Sequence, residues 1–212
     1  MTLLDYITEI EFAASKVLEA IWTDNERAEK LKTEIEKEAQ IVENEYKGAI
    51  ALQNYVEDPD DVMLSVGMYW DNYFGKDKEV YHKNEKLKDL QQRLTTQEFS
   101  IISLCGNLLE HAKKGLSIVY GNPKNWPCGR KIGTQCLSEI IIQSRNQSAH
   151  IDEAIKNRKF QNSKIDDSFK LLEKDIDGIF SDYNKRDMAF EIIKILNWRD
   201  FKSFKSDLEL MK

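Results

Sequence analysis

The chain has 212 residues and a formal net charge of −6, from 31 lysines and arginines against 37 aspartates and glutamates. Hydrophobic residues make up 41% and aromatic residues 10%, too many for a disordered chain, while charges recur too often for the roughly 20-residue apolar run of a membrane span. The three cysteines include no CxxC pair and there are three histidines, which argues against a structural zinc site or a disulfide framework and for reduced thiols in a cytoplasmic protein.

Three prolines and nine glycines leave long stretches where helices can run. From Leu3 to Trp22, Leu3, Tyr6, Ile7, Ile10, Ala14, Val17, Leu18 and Ile21 recur at steps of three and four and predict one helical face. Asp5, Glu9 and Glu11 interrupt this stretch, which is therefore not expected to be a signal peptide. Asp24 is the expected N-cap of a second helix carrying Ala28, Leu31, Ile35, Val42, Tyr46, Ala49 and Leu52 and stopping near Asp58-Pro59. At 1.5 Å per residue that helix spans on the order of 50 Å, and its glutamates (Glu34, Glu36, Glu38, Glu43, Glu45) read as a solvated face or a hairpin arm. A third helix is expected from Asp60 through Met63, Val66, Tyr69, Trp70 and Phe74 to a stop at Gly75. Its aromatic group (Tyr69, Trp70, Tyr73, Phe74) has the spacing of a core or dimer surface.

A charged helix follows over Lys76 to Leu94. Thr95 or Thr96 is the expected cap of another, with Phe99, Ile102, Leu104, Leu108 and Leu109 on its apolar side. After Gly115 the texture changes. Gly115, Gly121, Gly129 and Gly133 join Pro123 and Pro127 in one clear loop. Helix resumes from Thr134 to Ser148 and again near Ile151, and two or three more fill Ile165 to the end. No alternation of period two argues for a sheet. The expectation is an all-α helical bundle, one domain over 1–212, with 24–94 as a helical insertion or arm.

Charge is unevenly placed. From His111 to Phe160 there are nine basic residues and three acidic ones, which leaves the rest of the chain at −12. A basic centre in an acidic shell suits a local polyanion site, against the alternative of lysines paired with acidic neighbours on a solvated surface. Within the loop, Lys124, Trp126, Arg130 and Lys131 are the candidate RNA contacts: Trp126 to stack on an unpaired base, the cations to follow phosphates. The competing reading makes Trp126 a hydrophobic plug. Cys105, Cys128 and Cys136 read as ordinary thiols, and His82 and His111 as surface residues.

Inside the basic segment lies Arg145-Asn146-Gln147-Ser148-Ala149-His150. The residue types suit RNA cleavage that needs no metal and no cofactor. A histidine titrating near neutrality moves the 2′-OH or leaving-group proton, an arginine forks onto the phosphate, and an asparagine positions either. Five residues subtend about 140° on an ideal helix, so Arg145 and His150 meet at one phosphate only if the helix bends near Ser148 or two copies face each other. The competing readings make His150 a capping or ion-paired residue and Arg145 an anchor for Glu139 or Asp152.

This run resembles the R-x4-6-H signature of the HEPN ribonuclease superfamily, in which a polar residue often follows the arginine. The resemblance covers residues 95–200 as a helical core. It implies a four-to-five-helix bundle that dimerises around a shared cleft. It also implies metal-independent endoribonuclease activity leaving 2′,3′-cyclic phosphate and 5′-OH ends, and a role as a bacterial toxin or antiphage effector, with a cognate antitoxin as a candidate partner. Arg145 and His150 would be the catalytic pair and Asn146 their support. The alternative is a non-catalytic helical module that binds RNA or protein.

Overall fold

The computed structural model describes residues 1–54, 77–157 and 160–211. The fold is all-α. Its helices are α1 (Leu3–Asn54), α2 (Asp77–Tyr120), α3 (Leu137–Asn157), α4 (Lys164–Asp175), α5 (Ala189–Leu196) and α6 (Phe201–Glu209). Among the described residues, two 3₁₀ turns (Pro123–Asn125 and Gly178–Asn184) and a minimal antiparallel hairpin lie between them. In the hairpin β1 (Lys131–Ile132) pairs with β2 (Gln135–Cys136), Lys131 opposite Cys136 and Ile132 opposite Gln135. The expected helix ending at Gly75, its aromatic group and the stop at Asp58-Pro59 lie outside the described residues. Among the described residues no helix is long and apolar enough to cross a membrane.

The chain forms two compact units, one of Met1–Asp24 with Phe99–Lys212 and the other of Asn25–Glu98. In the second unit Ala28 and Leu90 are buried, and ion pairs join Lys86 to Glu38 (2.5 Å) and Lys32 to Glu98 (3.4 Å). Glu34, Glu36 and Glu43 are exposed, as a solvated face requires.

The first unit holds the aromatic core. Trp198, Phe169, Phe180 and Phe204 are fully buried. Phe169 stacks on Tyr183 at 5.3 Å between centroids, and Trp198 meets Phe204 edge-on at 4.8 Å. From α1, Leu3, Tyr6, Ile7, Ala14, Leu18 and Ile21 are buried, the face its periodicity predicts. From α2 come Ile101, Cys105, Leu108, Leu109, Ala112 and Leu116, whereas Phe99, expected on the apolar side, is 72% exposed.

Several expected boundaries are absent. Asp24 does not cap a new helix; α1 runs through it, and its carboxylate accepts the Ser100 hydroxyl at 3.2 Å. Thr95 and Thr96 do not cap either. Their hydroxyls donate back to the carbonyls of Gln91 and Gln92 (both 3.0 Å), which satisfies them within a continuous α2. Gly115 is inside α2 rather than at its end, for a packing reason. A β-carbon there would lie 2.5 Å from the Tyr6 ring, whose hydroxyl donates to the carbonyl of His111 at 2.9 Å. The helix stops at Tyr120, where Gly121 takes φ +66°. Likewise α3 runs unbroken through Ser148 and Ile151.

The cysteine expectation is corrected. Cys128 and Cys136 form a disulfide, their Cα atoms 4.8 Å apart, and Cys105 is the free, buried thiol. Gly129 and Gly133 take φ of +68° and +58° and fold the chain back so that residues eight apart become neighbours. No local cysteine spacing announces such a pairing.

Candidate functional site

The register of α3 separates two faces. Ile140, Ile141, Ser144, Gln147, Ile151 and Ala154 are buried. Glu139, Ile142, Arg145 and Asn146 are half-buried, while Ala149 and His150 are exposed. Taking Arg145 as origin, Asn146 and His150 fall at about 100° and about 140° on an ideal helix, so all three share the open half. His150 lies one turn beyond Asn146. The helix shows no break that would swing it toward Arg145 within one chain.

The intervening residues of the motif do the anchoring. Gln147 is fully buried and donates through Nε2 to the carbonyls of Tyr183 (2.9 Å) and Arg186 (2.8 Å). Its Oε1 accepts the amide of Met188 at 3.1 Å. Ser148 donates to Asp187 at 2.6 Å, and the same carboxylate accepts the amide of Ala189 at 2.8 Å. Together these bonds tie α3 to the segment leading into α5 and set the rotation of the helix about its axis.

Arg145 finds a partner the sequence does not suggest. Its Nε donates to Glu110 of α2, and its Nη1 lies 3.3 Å from Asn146 Oδ1. The other Glu110 oxygen takes Lys113 Nζ at 3.4 Å. Burial alone would raise the Glu110 pKa, but Arg145 and then Lys113 outweigh it and hold the carboxyl below its ordinary range. The two carboxylates expected as anchors are placed otherwise: Glu139 accepts the Gln143 amide at 2.8 Å, and Asp152 is exposed. What brings α2 to Arg145 is Gly106, where a β-carbon would lie 2.8 Å from Ser148 Oγ. Glu110 is one turn along from Gly106, and Arg145 one turn back from Ser148, so the close approach aligns the pair. A glycine inside an apolar helical run is the signal that could have revealed this contact.

The four loop residues divide. Trp126 is 8% exposed and its indole donates to the carbonyl of Gly121 at 3.2 Å, so the ring is a plug and offers no open face for stacking a base. Arg130 is likewise committed inward. It forks onto Asp207 (2.6 and 2.9 Å) and reaches the carbonyl of Leu196 at 2.7 Å. Asp207 also accepts the Trp198 indole at 2.7 Å. Lys124 and Lys131 remain exposed.

Lys124 borders two adjoining clefts of about 500 and about 460 Å³, which share Pro123, Lys124, Glu139 and Lys164. The first is walled by the disulfide, Trp126 and the α4 residues Asp167, Ser168 and Leu171. The second extends along α3 past Ile142 and Gln143 to Asn146. One groove thus joins an expected phosphate contact to a residue of the motif, and it adds Lys164, which sequence reading passed over. Compared with known protein families, characterised proteins and solved structures, the chain matches none.

Proposed function

We propose that this chain is a metal-independent endoribonuclease of HEPN type, acting as a homodimer in which Arg145 and His150 of two copies face one scissile phosphate. The observation that carries this reading is the shared open half of α3: Arg145, Asn146 and His150 all lie on it, while Gln147 and Ser148 fasten the opposite side. In the reaction the ribose 2′-oxygen attacks phosphorus and the P–O5′ bond breaks, leaving a 2′,3′-cyclic phosphate and a 5′-OH. His150 moves the proton, Arg145 balances the charge growing on the phosphoryl oxygens, and Asn146 steadies the guanidinium it already contacts. Lys124 and Lys164 border the groove that reaches Asn146 and would follow the RNA backbone. Service as a bacterial toxin or antiphage effector, restrained by a cognate antitoxin, belongs to the same proposal.

The test is incubation of total RNA with the wild type in EDTA, beside His150→Ala and Arg145→Ala. Wild-type fragments with cyclic phosphate ends, absent from both variants, are expected. Cleavage by either variant at the wild-type rate overturns the site. The ion pair of Arg145 with Glu110 favours a second reading, a binding module in which the arginine is structural. That reading predicts salt-sensitive RNA binding without cleavage.

A further inference from the structure

We infer that Glu110 is a positioning residue for Arg145, holding the guanidinium by its Nε so that its outer edge is presented to a phosphate. The inference rests on the ribonuclease reading above and names a residue from another helix, 35 positions earlier in the chain.

The geometry of the fork is the argument. A guanidinium has five N–H donors in one plane, and a carboxylate that took it bidentately would occupy a whole edge. Glu110 divides its oxygens: one accepts Arg145 Nε, the other faces Lys113 Nζ at 3.4 Å. Asn146 Oδ1 takes Nη1 at 3.3 Å. With the guanidinium held at Nε and at one Nη1 hydrogen, the Nη2 donors and the second Nη1 hydrogen form the edge left for a ligand. The Arg145 side chain is 27% exposed, so part of it reaches solvent, and the cluster of Arg145, Lys113 and Glu110 keeps a net positive charge. An arginine free on a helix surface samples many rotamers, and ordering it at the moment of reaction costs rate; one held beforehand is spared that loss. Gly106 leaves room for the close approach, since a β-carbon there would lie 2.8 Å from Ser148 Oγ and displace the hydroxyl that donates to Asp187.

Two measurements on the full-length protein test this. The first is steady-state cleavage of a short RNA by the wild type, Glu110→Ala and Glu110→Gln. Alanine is expected to lower kcat by about 10- to 100-fold with KM changed less than about threefold. Glutamine, whose Oε1 still accepts from Nε, is expected to restore most of that loss. The second needs no activity: the Arg145 Nε–H resonance, assigned by its disappearance in Arg145→Lys, is expected to exchange slowly with water in the wild type and fast in Glu110→Ala. A wild type that cleaves beside an equally active Glu110→Ala overturns the positioning role alone. Faster cleavage by both variants overturns it too, by making Glu110 a competitor of the phosphate. A wild type that never cleaves overturns the ribonuclease reading and this role with it, whereas fast Nε–H exchange in the wild type removes the contact itself.

Discussion

Gln147 Nε2 lies 2.9 Å from the carbonyl of Tyr183 and 2.8 Å from that of Arg186, so one buried amide closes two backbone acceptors of a segment some forty residues away. With Met188 donating to Oε1, three of the four hydrogen-bonding positions of the amide are filled. The residue sits between Arg145 and His150, and it is what turns α3 so that both remain on the open side.

Gln147→Leu should therefore lower stability by about 2–4 kcal/mol, because it strands buried backbone groups without changing volume much. Gln147→Glu should cost more at neutral pH, since a carboxylate would face two carbonyl oxygens and could donate to neither. Urea unfolding midpoints decide the matter. A leucine variant as stable as the wild type would show that water or relaxation replaces these bonds.

Arg130 should behave as a structural residue. Asp207 is 6% exposed, and removing its fork by Arg130→Ala leaves a buried carboxylate with the Trp198 indole as its remaining side-chain donor. A loss of about 2–3 kcal/mol is expected, reduced from the fully buried case because Arg130 reaches solvent in part. Lys131→Ala, exposed on the neighbouring position, should change stability by less than about 0.5 kcal/mol. Equal melting temperatures for the two variants would contradict this division.

The cysteines give a labelling prediction. Burial, with Asp187 and Glu191 nearby, raises the Cys105 thiol pKa well above the ordinary range, so it should resist alkylation until the protein unfolds. Cys128 and Cys136, eight positions apart and joined by one bond, should label only after reduction. Replacing both with serine should cost about 2.5 kcal/mol from the loop-closure entropy the bond removes. Labelling of Cys128 and Cys136 without reductant, in protein purified under air, would show that the pair stays as thiols.

His111 supplies the pH dependence. Burial first, and Lys114 second, push its imidazole below the ordinary 6.5, against the pull of Glu110. Folding thus favours the neutral ring: the stability it contributes is present above pH 6.5 and is lost as pH falls through the lowered folded value. Between about pH 7.5 and about pH 5.5 the wild type should lose stability relative to His111→Gln, read from paired denaturation curves. A relative gain on acidification would reverse the sign of the shift.

The all-α fold, the buried face of α1 and the helix that carries Arg145 follow from local rules: periods of three and four, and sparse proline. These signals act within a few residues and are readable from order alone. Helix continuity was not. Asp24, Thr95 and Ser148 look like boundaries because such side chains compete for backbone hydrogen bonds, and only their actual partners, Ser100, Gln91 and Asp187, show that competition settled within or between helices. The pairing of Glu110 with Arg145, the fork of Arg130 on Asp207 and the joining of Cys128 to Cys136 were decided by tertiary structure alone. A charge or thiol takes the partner that packing brings within about 3 Å, and Gly106, Gly129 and Gly133 set those approaches by what they lack.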